Sequence, residues 1–286
     1  MVRKMIEVVR PGPLATVQDP GRPGRAELGV PVSGAADAVA FGLANRLVGN
    51  AAGAAALELT FGGALLRFGR SAWIAVTGAP APWTLDGRPS PLNAPCFVPA
   101  GASVEVGFPD RGLRTYLAVR GGIDVEPVLG SRATDLLSGL GPPPLAPGTR
   151  LPVGEAAGEF PRVDVAPVPE PPVEPVLRVL PGPRDDWFAA DALALLTGSR
   201  YEATAQSNRV GVRLTGPALT RVREGELPSE GMVTGALQVP PEGRPILFLT
   251  DHPTTGGYPV LAVVVTRDLP LAAQLRPGDH VRFRLA

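Results

Sequence analysis

Asp251, His252, Thr254, Thr255 and Tyr258, side chains able to donate, accept or titrate, follow one another closely in the stretch LFLTDHPTTGGYPV, Leu247 to Val260. Pro253, Gly256, Gly257 and Pro259 break the run, and Leu247, Phe248 and Leu249 before it read as a short β-strand, so the polar groups sit at a strand end. Two adjacent glycines let backbone approach a ligand closely and turn its N–H groups outward, while the hydroxyls and the imidazole can orient an amide or carboxylate. His252 is one of two histidines and is the group here suited to proton transfer near neutral pH. A Gly-Gly hairpin with a polar tip fits the same residues, and both readings stand at this point.

Further candidates occupy other Gly- and Pro-rich turns, where rigid β scaffolds usually carry their sites. They are Gln18, Asp19 and Arg22 in QDPGRPGR, Ser33 and Asp37 in VSGAAD, Arg209 in SNRVGVRL, Glu230 in PSEGM and Gln238 in LQVPPEG. Each also has a plain structural reading. Asp37 suits a helix dipole, Arg209 an ion pair with a surface carboxylate, and Ser229-Glu230-Gly231 a simple turn. Glu58 lies between Leu57 and Leu59 and can face in or out, while His280 follows Gly278-Asp279 as a solvated turn would. Lys4 is the only lysine, which excludes a P-loop, Schiff-base chemistry and covalent biotin on this chain. Cys96 is the only cysteine, so no internal disulfide or cysteine-built zinc site can form, and no metal site is expected. Dinucleotide-binding, nucleophile-elbow, zincin and EF-hand patterns do not occur.

The elements that must hold these residues are mainly strands. The 286 residues are 44% hydrophobic and 19% charged, with 27 basic and 27 acidic side chains, a composition that fits a globular protein with no field for nucleic acid. The opening MVRKMIEVVR lacks a signal-like apolar core, and no apolar run is long enough to span a bilayer, so the expectation is a cytoplasmic chain with no membrane partner. Glycine and proline each number 35, which favours short strands joined by turns. Residues 6–17 read as an opening strand pair and AALELTFGGALLRF as an alternating strand piece. Ser33 is the expected N-cap of a helix over 34–48 that ends at Gly49-Asn50. Strands follow at 73–77, 96–98, 103–108 and 115–120. Residues 155–175, EAAGEFPRVDVAPVPEPPVEP, read as a proline-rich linker between domains 1–154 and 176–286. The second half offers a helix over 185–196 and strands at 201–206, 211–214, 232–239, 246–249, 260–265 and 281–285. LDGRPSPL is echoed by PEGRPILF, and VPAGASV by LRPGDHV, an ordered internal repeat that suggests two related modules.

The segments VQDPGRPGRAELGVPVSGAADAVAFGLANRLVGN, AALELTFGGALLRF, RTYLAVRGGIDVEPVLGSRATD, SNRVGVRLTGPAL, SEGMVTGALQVPPEGRPILFLTDHPTTGGYPVLAVV and AQLRPGDHVRF together resemble the biotin-dependent carboxyltransferase family. That family takes in KipA, allophanate hydrolase subunit 2 and the C subunit of ATP-dependent 5-oxoprolinase, and the chain's length is most similar to the last. The resemblance implies a mainly β protein of two tandem cyclophilin-like β-barrel domains with a few short helices. It implies partnership with a KipI-like B subunit and a LamB/YcsF-like A subunit, and a small-molecule amide as substrate. ATP, bound mainly by a partner, would activate 5-oxoproline, with charge on the amide oxygen met by the N–H groups of Gly256 and Gly257 and by Arg209 or Arg22. Asp251, His252, Thr255 and Asp19 are the expected catalytic residues. Gln18, Arg22, Ser33, Arg209, Glu230, Gln238, Thr254, Gly256, Gly257 and Tyr258 are the expected substrate-binding ones. Two alternatives follow from the same family, a carboxyltransferase acting on urea and a KipA-like regulatory partner of a KipI-like protein. DHPTTGGYP departs from the family's DRQTTGGYP in having His252-Pro253 for Arg-Gln, which removes a fixed cation and an amide.

Overall fold

Alternation broken by glycine and proline produces short strands throughout the computed structural model, which describes residues 5–223, 225 and 227–286. The sole lysine, Lys4, lies outside the described residues. The chain separates into two units, the first made of residues 1–22, 37–135 and 139–171, the second of 23–36, 136–138 and 172–286. The proline-rich tract forms no helix or strand, as its composition requires. Its residues up to 171 stay with the first unit: Arg120 donates to the Gly158 carbonyl at 2.7 Å, and Phe160 packs on Trp73 with ring centroids 4.6 Å apart.

The first unit contains β1 (Met5–Arg10), β2 (Leu14–Gln18), α1 (Ala38–Leu47), β3 (Ala56–Thr60), β4 (Ala64–Phe68), β5 (Ala72–Gly78), β6 (Trp83–Leu85), β7 (Arg88–Ser90), β8 (Pro95–Val98), β9 (Ser103–Val106), β10 (Arg114–Val119) and β11 (Arg150–Pro152). They form a six-stranded sheet, β11-β1-β4-β9-β6-β7, and a five-stranded sheet, β2-β3-β10-β5-β8. One core joins them, with Ile6, Leu66, Phe68 and Val104 from the first sheet meeting Val17, Leu57, Ile74 and Leu117 from the second. β1 and β2 are therefore not the pair expected from sequence, since β1 bonds to β4 and β11 while β2 bonds to β3. The corner between them is Pro11-Gly12-Pro13, where a Cβ on Gly12 would lie 1.9 Å from the Gly62 carbonyl oxygen. AALELTFGGALLRF likewise supplies one strand to each sheet.

Side chains alternate along β2, so with Ala15 and Val17 in the core, Thr16 and Gln18 face the other way. Across that face Thr16 opposes Glu58, Glu58 opposes Tyr116 and Tyr116 opposes Thr77, a buried polar row spanning four strands. The next row is small, Gln18 opposite Ala56 and Ala118 opposite Ala75, which leaves room for α1. The helix is fixed by the Thr77 hydroxyl donating to the Ala40 carbonyl at 2.8 Å and by an edge contact between Phe41 and Tyr116. Its N-cap is Asp37, whose side chain accepts from the Ala40 N–H, and not Ser33.

The second unit contains β12 (Val176–Pro181), α2 (Ala192–Gly198), β13 (Arg200–Ala203), β14 (Gly211–Thr215), β15 (Glu230–Gly231), β16 (Ala236–Gln238), β17 (Ile246–Phe248), β18 (Thr255–Gly256), β19 (Val260–Val264), α3 (Leu269–Ala273) and β20 (His280–Leu285). Seven of these strands close into a barrel in the order β12-β19-β16-β17-β14-β13-β20, while β15 and β18 form a separate ribbon. Leu177, Tyr201, Leu237, Leu247 and Phe283 fill the barrel. The helix expected over 185–196 is instead a 3-10 turn at Asp185–Trp187 followed by α2. The strand expected over 232–239 is confined to β16, which starts after Gly235 at φ 91°. The internal repeat falls on matching places. D-G-R-P turns β6 into β7, and E-G-R-P turns β16 into β17, with Gly87 and Gly243 at φ 76° and 71°.

Candidate functional site

In the first unit, Asp19 clasps two turns together. Its Oδ1 accepts from the Gly21 N–H at 2.8 Å and the Ser131 hydroxyl at 2.6 Å, and its Oδ2 accepts from the Arg132 N–H at 2.6 Å. The clasp brings the Gln18–Arg22 turn against 131–135, where Gln18 Nε2 donates to the Thr134 carbonyl at 2.9 Å and Arg22 Nη2 to the Ala133 carbonyl at 2.5 Å. Asp135 Oδ2 stands 3.8 Å from Arg22 Nη1, both side chains fully enclosed. Glu58 faces inward, accepting from the Tyr116 hydroxyl at 2.7 Å beside Arg114. Burial and the neighbouring Glu58 carboxylate hold the Tyr116 phenol well above its usual pKa, so it stays protonated and donates.

In the second unit, Arg209 and Asp251 form a fully buried pair. Arg209 Nε donates to Asp251 Oδ2 at 2.9 Å and Nη2 to Oδ1 at 3.0 Å, the two-pronged geometry a guanidinium makes best. The Ser33 hydroxyl donates to Asp251 Oδ1 at 2.7 Å, the Leu136 N–H reaches Oδ2 at 3.2 Å, and Arg209 Nη2 also donates to the Gly34 carbonyl at 2.6 Å. Ser33 adopts φ 54°, a left-handed conformation that costs about 1–2 kcal/mol. Its bonds to Asp251 and to the Thr250 carbonyl offset that cost and explain why it cannot cap α1. Arg209 thus pairs with a buried carboxylate, in place of the surface one that its plain structural reading expected.

The exposed part of the same turn is the ribbon. Glu230 opposes Gly256 and Gly231 opposes Thr255, and Thr255 and Tyr258 are exposed. A Cβ on Gly256 would lie 2.6 Å from Gln238 Nε2, and that amide donates onward to the Tyr258 carbonyl at 3.1 Å. A side chain at 256 would therefore press on the Gln238 amide, which is the prop beneath the ribbon. Glu230 pairs with Arg184 through Nε at 3.0 Å and through Nη2, and hydrogen bonding from Arg184 lowers the Glu230 pKa. Sequence reasoning missed Arg184, although PGPRDDW carries the same Gly/Pro mark as the turns it did select. His252 stacks beside Phe248, ring centroids 5.9 Å apart and ring planes inclined by 28°. Its Nδ1 lies 2.7 Å from the Pro253 carbonyl. A carbonyl only accepts, so the proton is assigned to Nδ1 and Nε2 is left as the basic atom. Burial lowers the pKa of this ring below its usual value, keeping it neutral at pH 7.

A triphosphate needs clustered N–H donors and an uncommitted cation. The ribbon does not fit it: Arg184 is tied to Glu230, the backbone partner of Gly256. Among the described residues no three His, Cys, Asp or Glu side chains converge as a metal would require, and no helix is long and apolar enough to cross a membrane.

The family model for the carboxyltransferase domain, subdomains A and B, matches residues 28–285. The chain belongs to the carboxyltransferase-domain family. Within it, the C subunit of 5-oxoprolinase from Escherichia coli K12 is 38% identical over 98% of this chain and 90% of its own length. The urea amidolyase of Lachancea kluyveri is 35% identical over 97% of the chain, which there corresponds to 17% of a much longer protein. The crystal structure of TTHA0988 superposes with a TM-score of 0.90 at 37% identity, covering 99% of this chain. The chain spans 56% of that one. The carboxyltransferase-domain resemblance drawn from the ordered series of sequence segments is thus borne out over residues 28–285.

Proposed function

We propose that this chain is the C subunit of an ATP-dependent 5-oxoprolinase that opens 5-oxoproline to glutamate. The observation that carries the reading is the collinear match to a 5-oxoprolinase C subunit over 98% of this chain and 90% of the relative. A protein of that kind works with partners, and the reading assigns them as a KipI-like B subunit and a LamB/YcsF-like A subunit, with ATP held mainly by a partner. This accords with a ribbon that offers no uncommitted cation to a triphosphate. Thr254, Thr255 and Tyr258 on the ribbon contact the small amide, and His252 Nε2 is the base nearest them in sequence. Asp251, Asp19, Arg209 and Ser33 act through their turns, which they hold in place.

The test is 5-oxoproline-dependent ATP hydrolysis. The purified chain alone should show none, and turnover should appear when the A and B subunits are added. A reconstituted complex without turnover overturns the reading. The similarity to urea amidolyases favours a second reading, a carboxyltransferase acting on urea. Under that reading, turnover would instead require urea, bicarbonate and a biotinylated carrier.

A further inference from the structure

The chain crosses from the six-stranded to the five-stranded sheet of the first unit at Gly69–Ser71, a turn held to β1 by the Gly69 N–H donating to the Met5 carbonyl at 3.0 Å. Between the start of β1, the end of β4 and the start of β5 this leaves a cleft of about 140 Å³. Buried Ile6 and Phe68 and the more exposed Val153 and Trp73 give it apolar walls, and Arg70, Ser71 and Arg120 supply its polar side chains. Arg70 is exposed and pairs with no carboxylate among the described residues. Ser71 Oγ accepts from the Ala100 N–H at 3.1 Å, so its own proton is left to donate. Arg120 donates to the Val48 and Gly158 carbonyls at 2.9 and 2.7 Å and lies over the Phe160 ring, 5.3 Å from its centroid. Its charge, too, meets no carboxylate among the described residues.

We propose that this cleft is an accessory site for a small aromatic monocarboxylate, its carboxylate accepting from Arg70 and Ser71 and its ring lying against Phe68 and Trp73. The proposal does not rest on the 5-oxoprolinase reading, and none of the residues assigned to the reaction lines the cleft. Size sets the upper limit. An apolar cavity of about 150 Å³ takes up one benzene ring, so a cleft of about 140 Å³ holds a single ring and not a nucleotide. Charge sets the sign. Two guanidiniums and a hydroxyl, with no acidic side chain among the described residues that line the cleft, oppose an ammonium and favour an anionic acceptor. A bare inorganic anion would take the donors and leave the apolar walls to water, whereas a ring covers them. Arg120 also ties the site to the chain beside it: it holds the Gly158 carbonyl and Ala156 lines the cleft, so a bound ligand steadies residues 156–160 on the first unit.

Sodium benzoate is the probe, titrated against the full chain and followed by ligand-observed NMR, and saturable binding is the expected result. Benzamide keeps the ring and loses the charge, acetate keeps the charge and loses the ring, and each should bind about tenfold more weakly than benzoate. Arg70→Gln removes an exposed cation, and should weaken benzoate about tenfold while leaving the melting temperature within a few degrees. Hydrogen exchange locates the ligand, since the backbone amides of residues 156–160 should gain protection when benzoate is added. No saturable binding of benzoate, equal binding of either comparison ligand, equal binding by Arg70→Gln, or unchanged protection at 156–160 overturns the inference. If Arg70→Gln does not fold, the three ligands and the exchange measurement on the wild-type chain still decide.

Discussion

At the scale of single residues, the polar groups divide into those that hold the turns and those that the turns present. Asp251 belongs to the first kind: with no exposed surface and both oxygens engaged, it can lose its charge only by stranding Arg209. Asp251→Asn should therefore destabilise the protein by about 3–5 kcal/mol in chemical denaturation. The double change Asp251→Leu, Arg209→Met should recover part of that loss, because no buried charge then remains. Thr255 belongs to the second kind. Thr255→Val should alter stability by less than about 0.5 kcal/mol while lowering turnover of the reconstituted complex, and unchanged turnover would remove Thr255 from the site. His252 adds a pH signature. Its folded pKa lies below the usual 6.5 because burial opposes the charged form. As pH falls below 6.5, the unfolded chain takes up the proton first, and stability is lost between there and the folded value. The denaturation midpoint should thus drop less between pH 7 and pH 5 in His252→Phe than in the wild type, and identical slopes would contradict the burial of a neutral ring.

At the scale of elements, the ribbon depends on the absence of a side chain. Gly256→Ala would push a methyl group to 2.6 Å from Gln238 Nε2, and such overpacking costs about 1–3 kcal/mol. The strain falls on the β15–β18 pairing, so backbone amides of residues 230–232 and 254–258 should lose hydrogen-exchange protection while the barrel strands keep theirs. Protection unchanged at 254–258 would show that Gln238 yields without disturbing the ribbon. Much of this level was legible in the sequence. D-G-R-P and E-G-R-P marked real hairpins because a left-handed glycine is the same local requirement in both. The polar turns were legible because Gly and Pro exclude regular structure wherever they cluster. What local pattern could not give was pairing. Residues 6–17 and 56–68 alternate as strands should, but whether successive strands bond to each other or enter two sheets depends on partners far away in the chain, such as Pro152 opposite Met5. The same holds for Glu58, whose burial is decided by Tyr116 across β10, and for Ser33, taken from its expected cap by Asp251, 218 residues on.

At the scale of the whole molecule, the second unit is assembled from three pieces of chain, 23–36, 136–138 and 172–286, whereas a tandem division would take only residues 176–286. The two short pieces are not ornaments of the barrel. Ser33 and Leu136 supply donors to Asp251, and Gly34 supplies an acceptor to Arg209, so they complete the coordination of a charge pair that has no water to turn to. A fragment comprising residues 172–286 keeps the seven barrel strands and their core but leaves that pair short of three hydrogen bonds. Buried polar groups lose about 1–3 kcal/mol for each partner removed, a large share of the stability of a domain this size. The fragment should therefore show native-like strand signals with weakened protection at residues 207–211 and 249–252. A denaturation midpoint below that of the second unit in the intact chain should accompany them. Adding a peptide of residues 23–36 should restore part of the protection, because Ser33 and Gly34 return two of the three bonds. A fragment as stable as the unit in the intact chain, with those turns ordered, would show that the barrel alone sets the geometry of Arg209 and Asp251.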